Sequence, residues 1–214
     1  MLTGMINYSL FFVGLVLVIL VLPFHILSIK HKYLEETFSR EKGRKIGEIL
    51  GYVSGWGFFI GWALVWLSPQ PRFLLSPFRI IFKLPILNIA TSLLHLVIFA
   101  IFFPAGFYFG VAGVKELSLR VSETHRPEKI VTTGVYSIVR HPQYLGGLLA
   151  HIGLTFLLSA WYSLLSTPII IVIIYVMCWA EEKELLREFG KEYEEYRTNV
   201  PMFIPRMFRN KKEG

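Results

Sequence analysis

Apolar and polar positions fall along this chain in long blocks rather than in short alternations. Four stretches carry no Asp, Glu, Lys or Arg: Tyr8–Ile29, Ile49–Ser68, Leu84–Val114 and Pro142–Ala180. A bilayer core about 30 Å thick takes about 20 apolar residues of helix to cross, so each of the first three reads as a spanning helix. As one helix the fourth would extend roughly 59 Å, about twice the core, and it predicts a hairpin of two spans turning near Ser159–Ser163. The expected fold is all-α: an integral membrane helical bundle of about five transmembrane helices.

The connections refine that picture. Lys30–Glu48 mixes charges of both signs and predicts a short surface helix. Gly47, Gly51 and Gly55, followed by Gly57 and Gly61, make a small-residue stripe suited to close helix packing. Pro69, Pro71, Pro77 and Pro85, with Arg72, Arg79 and Lys83, predict a segment lying partly along the membrane surface. Pro104 predicts a kink or tilt in the third span. After Ala180 the chain becomes highly charged, yet Leu185, Phe189, Tyr193 and Tyr196 recur on one helical face. The last span is therefore expected to run straight into a cytoplasmic amphipathic helix. Val200-Pro201 and Ile204-Pro205 end that helix and predict an apolar tail packed back on the membrane face. Residues 1–120 read as an N-terminal region of three spans, and 121–214 as the region carrying the chemistry.

Composition agrees: 54% of residues are hydrophobic and 17% charged, against about 25% charged in soluble domains. The net charge of +7 invites comparison with nucleic-acid binding, but the positions of the charges exclude it. No Lys or Arg precedes Tyr8; six lie in Lys30–Glu48, three in Pro69–Lys83, five in Lys115–Arg140 and eight after Ala180. With five crossings the three-residue group stands alone on its side. The positive-inside rule then places the N-terminus outside and the C-terminus in the cytoplasm, with membrane lipids as partners. The single cysteine, Cys178, excludes an intrachain disulfide and a cysteine metal cluster, and no metal site is expected. The first span lacks the basic flank and small-residue cleavage site of an ordinary secretory signal. Nothing in the sequence predicts an oligomeric state.

The densest polar cluster lies where a cytoplasmic loop re-enters the membrane, from Val131 through Tyr136 to Arg140-His141-Pro142-Gln143-Tyr144. Pro142 suits the first position of a helix, which leaves Arg140 and His141 at an N-terminus rich in free backbone donors. Tyr136 and Tyr144 can supply an aromatic wall, and Gly146 and Gly147 leave room for a helix or a ligand. The hairpin must return Glu181 and Glu182 to the same face. Carboxylates opposite Arg, His and two tyrosines at the bilayer edge make a candidate functional pocket.

These residues resemble a known family. Tyr136, the Arg140–Tyr144 run, Glu181-Glu182, Phe189-Gly190-Lys191-Glu192-Tyr193 and the two Pro-ended dipeptides are similar to isoprenylcysteine carboxyl methyltransferases from Glu128 to Arg206. The chain looks like a minimal prokaryotic-type relative of them. The resemblance implies S-adenosylmethionine as cofactor, leaving as S-adenosylhomocysteine. It implies that the cofactor is held by Glu128, Lys129, Ile130 and Val131, by Tyr136, and by Arg140, His141, Pro142, Gln143, Tyr144 and Glu182. It implies catalytic roles for Glu181 and His141, with Glu181 beside the methyl acceptor, most simply the carboxyl of a prenylated cysteine. Where eukaryotic members carry Arg four residues before that Glu, this chain has Met177. Phospholipid N-methylation is the alternative acceptor chemistry. A second enzyme class, the NADPH-dependent membrane sterol-type reductases, carries a similar Arg-His-Pro-x-Tyr pattern, but its cofactor phosphates call for several Arg or Lys.

Structural readings stand beside these. His141 can simply cap a helix, and Glu181 and Glu182 can be solvated where a helix leaves the membrane. Adjacent residues point ~100° apart, so only one of the pair is expected to face a pocket. Tyr193 and Tyr196 read as packing, His25 and His95 as interhelical hydrogen-bonding groups, and His151 as a group lining a lipid channel. Arg197 and Arg206 either clamp the cofactor carboxylate or touch anionic lipid, and Arg209, Lys211 and Lys212 read as a head-group-binding tail.

Overall fold

In a computed structural model, which describes residues 2–75, 77, 80–84 and 89–205, the chain folds into eight α-helices and one short antiparallel β-hairpin. The helices are α1 (Leu2–Ser28), α2 (His31–Phe38), α3 (Arg40–Leu67), α4 (Leu93–Leu117), α5 (Leu119–Thr124), α6 (Pro142–Leu157), α7 (Trp161–Phe189) and α8 (Lys191–Asn199). Four are long and apolar enough to cross a membrane: α1 over Ser9–Ser28, α3, α4 and α7. The fifth expected span, α6, has 16 residues, about 24 Å of helix. It runs antiparallel to α7, with Tyr144 bonded to Glu181 at one end and His151 to Thr167 near the other. The long charge-free stretch is thus a hairpin, and it turns at Leu158–Ala160.

The bundle is built from two glycine-welded helix pairs, α1 with α3 and α4 with α6. A Cβ on Gly61 would sit 2.9 Å from the Gly14 carbonyl, and one on Gly146 would sit 2.4 Å from the Gly110 amide. With lipid outside as apolar as the side chains inside, such close backbone approach is what drives helices together. Helix α7 packs on the first pair through a core of Val18 and Val21, Phe58 and Trp62, and Ile170, Ile174, Met177 and Cys178, against which Tyr144 and Leu148 of α6 also pack. A smaller cluster of Tyr193, Tyr196 and Val200 packs the C-terminal segment beneath it.

Several expectations are corrected. Lys30–Glu48 is not one surface helix: α2 stops at Phe38, Ser39 reverses the chain with φ 76°, and α3 begins at Arg40. The third span is shorter than its apolar run, because Ile89–Ser92 pairs with Ile81–Leu84 in a hairpin whose register sets Ile81 opposite Ser92 and Leu84 opposite Ile89. Uncharged sequence alone does not distinguish such a strand from the helix that follows. The last span does not run straight to Arg197 either. Gly190, at φ +56°, takes a conformation that L side chains avoid, and α8 starts anew beyond it. His95 bonds not between spans but to the surface connection, accepting from the Leu75 amide at 3.1 Å and meeting Ser159 Oγ at 3.1 Å. Pro85 and Arg79 lie outside the described residues.

The α4–α6 weld predicts that Gly146→Leu is destabilising. The side chain meets backbone that cannot move aside, at a cost of about 1–3 kcal/mol. Thermal unfolding in detergent should show the lowered midpoint, while Gly55→Ala, with nothing within 4 Å of its added Cβ, should leave it unchanged.

Candidate functional site

The site begins with backbone. The tail after α8 returns as expected and pairs with the entrance to α6: the Arg140 amide donates to Pro201 O at 2.9 Å and the His141 amide to Met202 O at 3.3 Å. This fixes Arg140 and His141 just ahead of Pro142, which occupies the first turn of α6. The Arg140 guanidinium then donates to Glu182 Oε1 through Nε at 2.8 Å and Nη2 at 2.7 Å. Its Nη1 donates to the carbonyls of Arg197, at 2.9 Å, and Val200. His141 Nε2 lies 3.1 Å from the same Glu182 oxygen, and its Nδ1 lies 3.5 Å from Glu181 Oε2. His141 makes no side-chain cap bond to α6; it is held between two carboxylates instead.

Glu181, one step round the helix, faces the other way. Its Oε1 accepts from Tyr144 Oη at 2.5 Å and lies 3.1 Å from His25 Nε2, contributed by α1. Burial opposes charge on His141, but Cys178 and the two glutamates outweigh it and hold the imidazolium well above its ordinary pKa. His125, at the left-handed C-cap of α5, is pushed down to about 3 by burial and by His25 beside it. His31 falls to about 4 through burial and Arg126. Burial likewise raises the Tyr136, Tyr193 and Tyr196 phenols, which remain neutral donors.

These groups open on one cavity of about 200 Å³. Its polar end is lined by Lys129, Tyr136, Arg140, His141, Gln143, Tyr144 and Glu181, and its apolar end by Phe58, Phe59, Trp62, Gly147, Ile174 and Met177. Of the expected site residues, Ile130 and Val131 also line it. Three do not. Glu128 is exposed, Pro142 is buried under the turn, and Glu182 stands behind Arg140 and His141, which it holds. Only one of the two glutamates faces the cavity, as helix geometry requires. Tyr193 and Tyr196 do more than pack: both line the cavity, and Tyr196 Oη donates to Tyr136 O at 2.7 Å. Gln143 Nε2 donates to Tyr136 Oη at 3.1 Å and to Ser122 Oγ at 2.9 Å.

Some readings do not carry over. His151 is not in the cavity wall; it accepts from Trp66 Nε1 at 2.8 Å and stacks on Trp62 and Trp66. Arg197 pairs with Glu194 and gives its carbonyl to Arg140, while Arg206, Arg209, Lys211 and Lys212 lie outside the described residues. Sequence reasoning missed what the first half contributes: His25, His125 and the aromatic wall Phe58, Phe59 and Trp62. An isolated histidine inside an apolar run carries no spacing signal, and only the packing of α1 on α7 reveals its partner.

Fold and site together define a membrane-embedded protein with a bipartite pocket, polar at one end and apolar at the other. Comparison with known proteins is specific. Residues 94–192 match the family model described as PEMT, phospholipid methyltransferase. It is 38% identical over 80 residues to methanethiol S-methyltransferase 2 of Bradyrhizobium diazoefficiens, covering 36% of this chain and 29% of that protein. It is 33% identical over 95 residues to the protein-S-isoprenylcysteine O-methyltransferase of Schizosaccharomyces pombe, covering 44% and 40%. With protein-S-isoprenylcysteine O-methyltransferase B of Arabidopsis thaliana it shares 34% identity over 97 residues, covering 42% and 44%. The matched stretches thus span less than half the length of these relatives. No solved structure matches.

The Arg140–Glu182 contact gives a direct prediction. Both side chains are about nine-tenths buried, and Arg140→Ala leaves a carboxylate without its guanidinium, which typically costs about 3–5 kcal/mol. Arg140→Lys restores the charge but not the planar fork and should recover only part of the loss. Unfolding midpoints of the two variants in the same detergent test the ordering.

Proposed function

We propose that this chain transfers the methyl group of S-adenosylmethionine to a lipid-like acceptor at the cytoplasmic face of the membrane. The carboxyl of a prenylated cysteine is the first acceptor class. The observation that carries this reading is the single cavity joining an interfacial polar end to an apolar wall inside the membrane. A water-soluble cationic donor and a lipid-soluble acceptor can meet only in such a place.

The residues present fit the donor. Gln143 and Tyr144 sit in the first turn of α6, where backbone amides have no intrahelical acceptor and favour a carboxylate. Tyr136 and Tyr193 offer ring faces, and the Glu181 carboxylate complements positive charge. Bound there, S-adenosylmethionine supplies an electrophilic methyl on a sulfonium. The protein's work is mainly alignment, since an in-line displacement depends on geometry. Tyr144 and His141 fix the Glu181 carboxylate, and the Glu182–Arg140 pair fixes His141. A carboxylate acceptor is already a nucleophile and needs no base; an amine would give its proton to Glu181.

Methylation of a phospholipid amine remains the second reading, favoured by the description of the matched family model. The NADPH reading has less support. Arg126 is paired with Glu35, Arg197 with Glu194 and Arg140 with Glu182, so these arginines are not free to hold a pyrophosphate or a 2′-phosphate. The orientation belongs to the same proposal, with the N-terminus outside and the site cytoplasmic.

Titration calorimetry of the purified protein separates the readings. S-adenosylhomocysteine should bind while NADPH gives no heat; NADPH binding with S-adenosylhomocysteine silent overturns the proposal. His141→Ala and Tyr144→Ala should each weaken S-adenosylhomocysteine binding. Glu181→Gln, which keeps shape and loses charge, should slow methyl transfer to an amine acceptor by about 100-fold or more if it is the base.

A further inference from the structure

His25 is the least explained side chain in the protein. It is fully buried on α1, yet neither ring nitrogen has a hydrogen-bond partner among the described residues. Its Nε2 stands 3.1 Å from Glu181 Oε1 without hydrogen-bond geometry. A buried imidazole that makes no hydrogen bond is costly near the end of a spanning helix, and such groups persist where something engages them. Beside His25, at a centroid distance of 4.5 Å and nearly perpendicular, lies the His125 ring.

The tautomer of His125 follows from its neighbour. Ser28 Oγ gives its proton to the His25 carbonyl at 2.7 Å. It can therefore only accept from His125 Nδ1, 3.2 Å away. That leaves His125 Nε2 with an unprotonated lone pair. An imidazole whose Nδ1–H is anchored to an oxygen and whose Nε2 is free has the arrangement found around metal-ligating histidines. One nitrogen of His25, one of His125 and one Glu181 oxygen all lie within 4.8 Å of one another. Ligands about 2.0–2.1 Å from a tetrahedral cation stand ~3.3 Å apart, so modest side-chain rotation would close the triad.

The geometry points to a zinc-type divalent cation held by His25, His125 and Glu181, with its fourth position open to the cavity. Two imidazoles and one carboxylate with an open position match the donor set of a catalytic rather than a structural zinc site. His125 and Glu181 line the cavity and His25 lies behind them, so the open position faces the acceptor.

The cation's role rests on the methyl-transfer reading; its binding does not. An anionic acceptor head approaching Glu181 meets like charge. Among the described residues lining the cavity, Arg140 is spent on Glu182 and two carbonyls, His141 is spent on Glu181 and Glu182, and Lys129 is exposed. Met177, four residues before Glu181, is apolar. A bound cation supplies the missing positive charge. An acceptor carboxylate takes the open position through one oxygen and attacks through the other. The new C–O bond forms as the donor's C–S bond breaks, and the sulfonium leaves as a neutral thioether.

Elemental analysis of protein purified without a polyhistidine tag or chelating resin from zinc-replete medium should find about one zinc per chain. After EDTA treatment, Co2+ titration should restore a site with the intense visible bands of tetrahedral nitrogen–oxygen coordination. His25→Asn and His125→Gln should each weaken Co2+ binding by at least about tenfold. Wild-type protein that carries no zinc and gives no cobalt bands overturns the site, as does cobalt binding that both variants leave unchanged. Calorimetry of the EDTA-treated protein with S-adenosylhomocysteine reports separately on the cofactor: binding there with no metal site would sink the cation alone, and a metal site with no such binding would sink the methyl-transfer reading alone.

Discussion

The buried contact between Arg140 and Glu182 is the constraint on which the rest of the site depends. It ties three segments distant in sequence: the entrance to α6, the C-terminal part of α7, and the tail that follows α8. Removing two charges from water is expensive, and an isolated pair of this kind often adds nothing to stability. Here the guanidinium is fully used, with Nε and Nη2 on the carboxylate and Nη1 on two carbonyls. His141 adds a third donor to the same oxygen. The cost of desolvation is offset by geometry that only a planar, five-donor side chain provides. The return is positional: with Glu182 pinned outward to Arg140, the ~100° helical step turns Glu181 toward the cavity.

A second constraint comes from the membrane. Two helix pairs welded by glycine leave a seam between them, because α3 and α6 meet through Trp62 on Gly147 rather than through backbone. Helix α7 closes one side of that seam. Deep in the bilayer it can be lined only by apolar groups, and Phe58, Phe59, Trp62 and Ile174 line it. Toward the interface water and head groups can pay for polarity, and there the tyrosines, His141 and Glu181 appear. The amphipathic character of the cavity is thus imposed by depth and not by any special motif.

That logic explains what was legible in the sequence. The hairpin was, because no helix could span the Pro142–Ala180 run in one pass, and its closure forced His141 and Glu181 onto one face. The helix-breaking tail was, because Val200-Pro201 cannot continue a helix, and its amide-to-carbonyl pairing with Arg140 and His141 is the form that packing back takes. The strand Ile89–Ser92 was hidden, since β-branched residues without charge fit a strand or a span equally well. The break at Gly190 was hidden by the unbroken apolar face running from Leu185 to Tyr196. His25 was hidden for a different reason: its meaning lies wholly in a tertiary contact 156 positions away, between α1 and α7.

The division between the two halves of the chain has a chemical consequence. The matched family region, residues 94–192, holds Tyr136, the Arg140–Tyr144 turn and both glutamates. The apolar wall of Phe58, Phe59 and Trp62 lies outside it, as does His25. Relatives named for acceptors as unlike as methanethiol and isoprenylcysteine are similar to this chain over stretches of 80 to 97 residues. On the proposed methyl-transfer reading, acceptor choice belongs to α1 and α3, which supply Phe58, Phe59 and Trp62 to the apolar end and His25 behind it. The polar turn before α6 need only present the same methyl group at the same place.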